Sequence, residues 1–411
     1  MIFLQRLIKG LTVGLILAIN SVASAHSQYP WTLKAESVPV MLDTEVAQAL
    51  QMETILTNTA TGVSIVRATP EQLQIISMYQ HANGRCGGFK IARDETENAF
   101  SELIKRFKVD SEYDSLKFGT FDVVKNPQIA EAIKSIKSQE IYDFVKWFSG
   151  IPTRFAGGSN ANEAVMLLKE KVENLMKGTS LKWQTQLITH SSVNQKSLRL
   201  TLTGSQRPSE IVVIGGHLDS IADWGMSSTA PGADDNASGS GSIFEALRVL
   251  KDQPQPERTI EFYWYGGEEL GLLGSEDIAN QYKAQNKNVI AVLQLDMTAY
   301  KGEGDNVIGS AQDFTSGFLR DYLLKINDVY GLGLKIVPFK CGYGCSDHAS
   351  WYSEGYPTLM PFESTMASMN RNIHTRRDTI DLLNFTHAAH FSKIALVFAM
   401  DFGNSTMKES N

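Results

Sequence analysis

Ile211-Val212-Val213-Ile214-Gly215-Gly216-His217-Leu218-Asp219 is the stretch that decides the fold. A near-continuous apolar run leads into two glycines, then into a histidine and an aspartate. Two further runs have the same form. Residues 260–265 lead into Gly266-Gly267-Glu268-Glu269, and residues 289–295 lead into Asp296-Met297. Apolar runs without alternation predict strands covered on both faces, with helices such as the one expected over residues 243–250 doing the covering. Strands alternating with helices predict an α/β fold: a mixed, mainly parallel sheet sandwiched by helices. In such folds ligands bind beyond the carboxyl ends of the strands. His217, Glu268, Glu269 and Asp296 all stand there.

Upstream, Ile141, Phe144, Val145 and Phe148 recur at i, i+3, i+4, i+7 and predict one face of a helix. Val165, Leu168, Val172 and Leu175 predict another, stopped by Gly178. Leu198, Leu200 and Leu202 alternate with polar residues, the pattern of a half-buried strand. Residues 26–120 read as a separate small α+β unit. It holds a short strand at Val63-Ser64-Ile65-Val66 and a helix start at Thr69-Pro70-Glu71-Gln72, with Thr as cap and Pro first. Residues 93–113 are rich in charge, as an exposed linker would be. Residues 1–25 have the form of a secretory signal peptide cut after Ala25. Arg6 and Lys9 precede an apolar stretch, and Ser21-Val22-Ala23-Ser24-Ala25 closes it. The stretch is shorter than the roughly 20 residues that span a bilayer, so no stable membrane anchor is expected. The 411 residues carry 38 Lys and Arg against 45 Asp and Glu, a net charge of −7. That acid excess argues against a nucleic-acid partner. Three cysteines are too few to build the fold, so a large apolar core must carry it.

The chemistry lies at the strand ends. Between the first two strands runs Pro231-Gly232-Ala233-Asp234-Asp235-Asn236-Ala237-Ser238-Gly239, and far downstream stands Asn372-Ile373-His374-Thr375. A single strand-end histidine is usually structural, and paired acids in a loop usually cap a turn. Two histidines and several carboxylates on one sheet edge are different. The like charges repel unless a cation neutralises them. Oxygen and imidazole donors without cysteine suit a catalytic zinc site, and the donor count is enough for two ions.

These segments resemble the M28 family of zinc aminopeptidases, and its secreted bacterial leucyl aminopeptidases most of all. The resemblance covers roughly residues 125–405, with all the segments in order, and implies a zinc-exopeptidase-like fold over residues 121–411. It implies two zinc ions bridged by Asp235, with His217 and Asp296 completing one site and Glu269 and His374 the other. Glu268 is then the general base, because neighbouring residues on an extended chain face opposite ways. Asp219, two residues beyond His217, orients its imidazole. Asp234 is expected to be structural. The resemblance also makes residues 26–120 a propeptide that assists folding or restrains activity before removal. Cys86, within that unit, is then a thiol that leaves with it.

Cys341-Gly342-Tyr343-Gly344-Cys345-Ser346-Asp347-His348 is the remaining cluster. Two cysteines four apart can bind metal or pair, and in an exported chain a disulfide is expected. Tyr343 matches the family tyrosine that donates a hydrogen bond to the tetrahedral intermediate. His348 is expected to be structural. Met297, Met360, Phe362 and Ile373 match the family's apolar pocket. Met366 and Met369 stand where relatives carry aromatics, so a loose preference for leucine or methionine is expected. The chain thus reads as a secreted, monomeric di-zinc aminopeptidase acting on peptides with a free N-terminus. The alternatives are another M28-fold enzyme (a carboxypeptidase or glutaminyl cyclase) and a non-catalytic binding protein on a peptidase fold. G-x-S-x-G and H-E-x-x-H are both absent, against a serine hydrolase and a single-zinc protease of that type.

Overall fold

The computed structural model describes residues 37–59, 62–69, 72–73, 75–76, 79–80, 89–91, 100, 123–225 and 227–404. The expected signal peptide, most of the expected linker and Cys86 lie outside the described residues.

The N-terminal unit contains β1 (Val38–Asp43), α1 (Thr44–Ala49), β2 (Thr54–Asn58), β3 (Val63–Ala68) and β4 (Lys90–Ile91). Its sheet runs β2-β3-β1-β4, antiparallel throughout. The Thr69 signal is realised as a reciprocal pair. Gln72 N–H donates to Thr69 Oγ1 at 3.3 Å, and Thr69 N–H donates to Gln72 Oε1 at 2.9 Å. Residues 72–73, 75–76 and 79–80 are helical. The unit does not stand apart. Val40, Leu42, Val66, Leu73 and Ile76 pack in one apolar cluster with Phe155, Val193, Ile221, Leu270 and Leu273 of the larger unit.

The larger unit continues with α2 (Pro127–Ile133), α3 (Ser138–Phe148), α4 (Ala161–Met176), β5 (Trp183–Ile188), β6 (Ser197–Leu202), β7 (Arg207–His217), α5 (Gly239–Leu250) and β8 (Arg258–Tyr265). Then follow α6 (Leu273–Ala284), β9 (Asn288–Gln294), β10 (Val307–Ala311), α7 (Gly317–Tyr330), β11 (Lys335–Phe339), α8 (His348–Ser353), β12 (Thr358–Leu359), β13 (Pro361–Phe362) and α9 (Phe385–Gly403). The main sheet runs β12-β9-β7-β8-β6-β5. The pairs from β12 to β8 are parallel, while β6 and β5 add antiparallel. It is the mixed, mainly parallel sheet expected.

The apolar runs exist because both faces are covered. Val212, Ile214, Phe262, Trp264 and Leu293 pack on α3, α4, α5 and α9 through residues such as Phe144, Val165, Ile243 and Phe398. Val213, Tyr263, Tyr265 and Val292 pack on the other side against Tyr282 of α6 and Trp351 of α8. Two details differ from the sequence reading. In α4 it is Met176, not Leu175, that joins Val165, Leu168 and Val172 in the core. In β6 the polar residues Ser197 and Thr201 are buried along with the leucines, because β6 lies between β8 and β5. A small second sheet, β11-β10-β13, was not foreseen.

Candidate active site

β7 is flanked by β8 and β9 in parallel register, with His217 opposite Tyr265 and Gly215 opposite Gln294. The three strands therefore end together. Leu218 N–H still donates to Tyr265 O and Leu295 N–H to Gly215 O, both at 2.8 Å. Asp219, Glu268, Glu269 and Asp296 follow at once on the same edge. Asp235 arrives from the turn Ala233–Ser238 that leads into α5. His374 arrives from the loop before α9.

Two donor sets result: His217, Asp235 and Asp296, and Asp235, Glu269 and His374, each with ligand atoms within 4.8 Å of one another. Asp235 is common to both. Its Oδ1 lies 3.0 Å from His217 Nε2, and its Oδ2 lies 2.7 Å from His374 Nε2. Asp296 Oδ1 is 3.3 Å from His217 Nε2, and Glu269 Oε2 is 3.0 Å from His374 Nε2. One carboxylate facing a histidine with each oxygen is the arrangement that can bridge two ions.

The electrostatics favour a cation. Asp219, Asp235, Glu268, Glu269, Asp296 and Asp347 are all buried. Each unpaired buried carboxylate costs several kcal/mol. Left to themselves, the groups trade protons. Burial pushes Glu269 up to about 7. Burial also pushes Glu268 well up, with Glu269 and Asp296 adding to it. Burial opposes protonation of His374, yet Glu269 and Asp235 raise it to about 10. Burial would likewise raise Asp235, but His374 and His217 hold it below the carboxylate range. Glu269 Oε1 is buried with no hydrogen-bond partner. The donor chemistry and this orphaned oxygen fit divalent cations of the zinc type.

Four of the candidate ligands, His217, Asp235, Glu269 and Asp296, are braced by their neighbours. Asp219 accepts Glu268 N–H on Oδ1 and Glu269 N–H on Oδ2, both at 3.1 Å, and its Oδ1 lies 3.4 Å from His217 Nδ1. It thus contacts the backbone of Glu268 and Glu269 and the His217 imidazole together. Gly267 takes φ +72°, which a side chain would resist, and its N–H donates to Gln195 Oε1 at 3.2 Å. Asp234, expected to be structural, belongs to neither donor set. Its Oδ1 accepts Ala299 N–H at 3.2 Å and its Oδ2 accepts Asn370 Nδ2 at 3.0 Å. His348 is buried and belongs to neither donor set; burial lowers it to about 3.

Several braces were not foreseen. Asp378 Oδ2 accepts the N–H of both Asp234 and Asp235, at 3.2 and 3.0 Å. Ser346 Oγ donates to Asp296 Oδ2 at 2.6 Å, and Gln294 Nε2 donates to Ser346 Oγ at 3.0 Å. Asn236 ties the Asp235 turn to the Asp296 strand end, donating to Leu295 O at 3.0 Å and accepting Met297 N–H at 3.2 Å. The only signal for Ser346 and Asp378 was their nearness in sequence to Cys345 and His374.

The structure joins Cys341 to Cys345. Tyr343, Met297, Met360, Phe362 and Ile373 form one buried apolar cluster with both cysteines and Met369, and Met366 packs against it. Tyr343 also lines a small pocket between this loop and the N-terminal unit, shared with Met41, Val63, Phe89 and Leu272.

The description of peptidase family M28 matches residues 198–399. A probable aminopeptidase of Saccharomyces cerevisiae is 34% identical over 290 residues, covering 68% of this chain and 77% of its own length. Leucine aminopeptidase 1 of Paracoccidioides brasiliensis is 31% identical over 330 residues, covering 74% and 84%. The crystal structure of the LapA aminopeptidase of Legionella pneumophila has a TM-score of 0.77 at 28% identity, covering 89% of this chain and 98% of its own. That share exceeds what residues 123–404 supply, so the likeness takes in the N-terminal unit. The chain belongs to peptidase family M28. Within that family it is a metallo-aminopeptidase, a hydrolase of peptide bonds.

Proposed function

We propose that this enzyme is a secreted di-zinc aminopeptidase that removes one large apolar residue, leucine above all, from the free N-terminus of peptides. The observation that carries the reading is Asp235, one carboxylate shared by two donor sets with an oxygen turned to each. His217 and Asp296 would complete one zinc site, and Glu269 and His374 the other. When bound, the two ions would supply Lewis-acid polarisation of the scissile carbonyl and a water of lowered pKa. Glu268 takes the proton of the attacking water and hands it to the leaving amine. Burial raises its pKa well above the ordinary carboxylate value, the direction a general base needs. The Tyr343 hydroxyl donates to the developing oxyanion. Asp296 or Glu269 holds the substrate's ammonium, and Met297, Met360, Phe362 and Ile373 receive its side chain.

Residues 1–25 serve as the signal peptide, and residues 26–120 as a propeptide. What supports the latter is the packing of the N-terminal unit on Leu270 and Leu273, just after Glu268-Glu269. Among the described residues no helix is long and apolar enough to cross a membrane. The enzyme is proposed to act as a monomer.

Elemental analysis of the purified protein tests the site. Two zinc ions per chain are expected, one in Glu269→Gln and neither held tightly in Asp235→Ala. One ion in the wild type, or full loading of Asp235→Ala, overturns the bridge. N-terminal sequencing of the exported enzyme tests the propeptide. An active protein that still begins near residue 26 would refute it.

A further inference from the structure

Arg154, between α3 and α4, has no part in the chemistry above. It is 1% exposed and stacks over the Phe148 ring at 4.5 Å. Its guanidinium bonds go to backbone carbonyls rather than to carboxylates. Nε donates to Leu218 O at 2.8 Å, Nη1 to Pro231 O at 2.6 Å and Phe148 O at 3.2 Å, and Nη2 to Gly232 O at 2.8 Å. Leu218 separates His217 from Asp219. Pro231 and Gly232 open the turn that delivers Asp235, and Ala237 N–H donates back to Gly232 O at 3.1 Å.

The backbone of Arg154 extends the same connections. Its N–H donates to Ser220 Oγ at 3.2 Å, and Ser220 Oγ donates to Ala230 O at 2.8 Å. Its carbonyl accepts Gln195 Nε2 at 2.9 Å, the residue whose Oε1 holds Gly267 N–H. Gly232 has φ +49°, and a Cβ there would meet Arg154 Nη2 at 2.8 Å and Asp235 O at 2.3 Å. The approach of guanidinium to turn thus requires glycine. Burial lowers Arg154 to about 10, with the field of Asp378, Asp219 and Asp235 opposing, so it stays charged at neutral pH.

We propose that Arg154 is a positioning residue whose guanidinium clamps the His217 strand end to the Asp235 turn, while its carbonyl reaches the Glu268-Glu269 turn through Gln195, so that both metal-binding triads form together. The inference rests on the two-metal reading above. It requires the planar fork of arginine, which reaches several carbonyls at fixed angles where a lysine ammonium cannot. Charge alone predicts the opposite of a clamp. A buried cation repels metal ions, so removing it would tighten zinc binding, whereas removing a clamp weakens it.

The test compares the wild type with Arg154→Lys, Arg154→Met and Ser220→Ala. Zinc affinity is read by competition with a chelator, and site geometry by the visible spectrum of the cobalt-substituted protein. Both Arg154 variants are expected to bind the more weakly held zinc at least about tenfold less tightly, with an altered cobalt spectrum and a fall in kcat larger than any change in KM. Ser220→Ala, which keeps the buried charge, is expected to shift the same way by less. Wild-type affinity and spectrum in either Arg154 variant, or tighter zinc in Arg154→Met, overturns the clamp. Should neither Arg154 variant fold, unchanged zinc affinity in Ser220→Ala overturns it. A wild type that binds a single zinc refutes the two-metal reading instead, and the same tenfold loss is then expected on that one ion.

Discussion

Asp219→Asn removes one charge and almost no volume, so its effect can be worked from the contacts it disturbs. The carboxylate accepts Glu268 N–H and Glu269 N–H and lies 3.4 Å from His217 Nδ1. An asparagine offers one oxygen. One of the two backbone N–H groups is then left facing an amide NH2, buried and unpaired. A hydrogen bond to a charged acceptor contributes about 1.5–3 kcal/mol, a neutral one about 1, and an unsatisfied buried donor costs about 1–3. The sum is on the order of 2–4 kcal/mol. Part falls on folding and part on the proposed ligands Glu269 and His217, which Asp219 contacts. The share reaching the metals corresponds to about 10–100-fold in affinity. Asp219→Asn is therefore expected to weaken zinc binding and lower kcat/KM by about that factor. The assays are titration of the chelated protein with zinc and turnover at saturating zinc. Affinity and kcat/KM both within about twofold of the wild type would refute the bracing role of Asp219.

Three further expectations are independent of that one. Glu268→Gln should keep its zinc, measured by elemental analysis, and lose about 100- to 10,000-fold in kcat; near-normal turnover removes Glu268 as the base. Burial holds His348 at about 3 against an ordinary 6.5, so its stabilising effect is fully present above 6.5 and is lost as pH falls toward 3. Between pH 7 and 5 that amounts to about 2 kcal/mol. Urea unfolding should show the wild type losing that much more than His348→Leu, and parallel losses would contradict the assignment. Replacing Cys341 and Cys345 by serine opens a short loop and should lower stability by about 2 kcal/mol in urea unfolding. With the Tyr343 loop loosened, kcat should fall too; unchanged kcat would argue that the disulfide does not hold Tyr343 in place.

What could be read in advance follows from the physics of each element. β7, β8 and β9 are buried on both faces, which writes a continuous apolar run into the sequence. His217, Glu269 and Asp296 sit where those runs stop, so their placement on one edge was legible once parallel strands were expected. β12 and β13 have two residues each, and β10 and β11 five, too short to leave a periodic signature. The braces were illegible for a different reason. Asp378, Ser346, Gln195 and Arg154 act through backbone amides, carbonyls or ligand oxygens brought from distant segments. Nothing in their residue type distinguishes such a contact from a solvated surface position. The packing of the N-terminal unit on the peptidase unit was hidden in the same way, because an apolar residue such as Phe155, Ile221 or Leu270 does not show which partner covers it.

The enzyme is proposed to hydrolyse the bond next to a free N-terminus with bound metal. Rates on leucine anilide and on N-acetyl-leucine anilide, each with and without a strong chelator, decide this. Rapid cleavage of the free amine, essentially none of the acetylated form, and loss of activity with chelator that zinc restores are expected. Equal cleavage of the two substrates, or activity indifferent to the chelator, would contradict it.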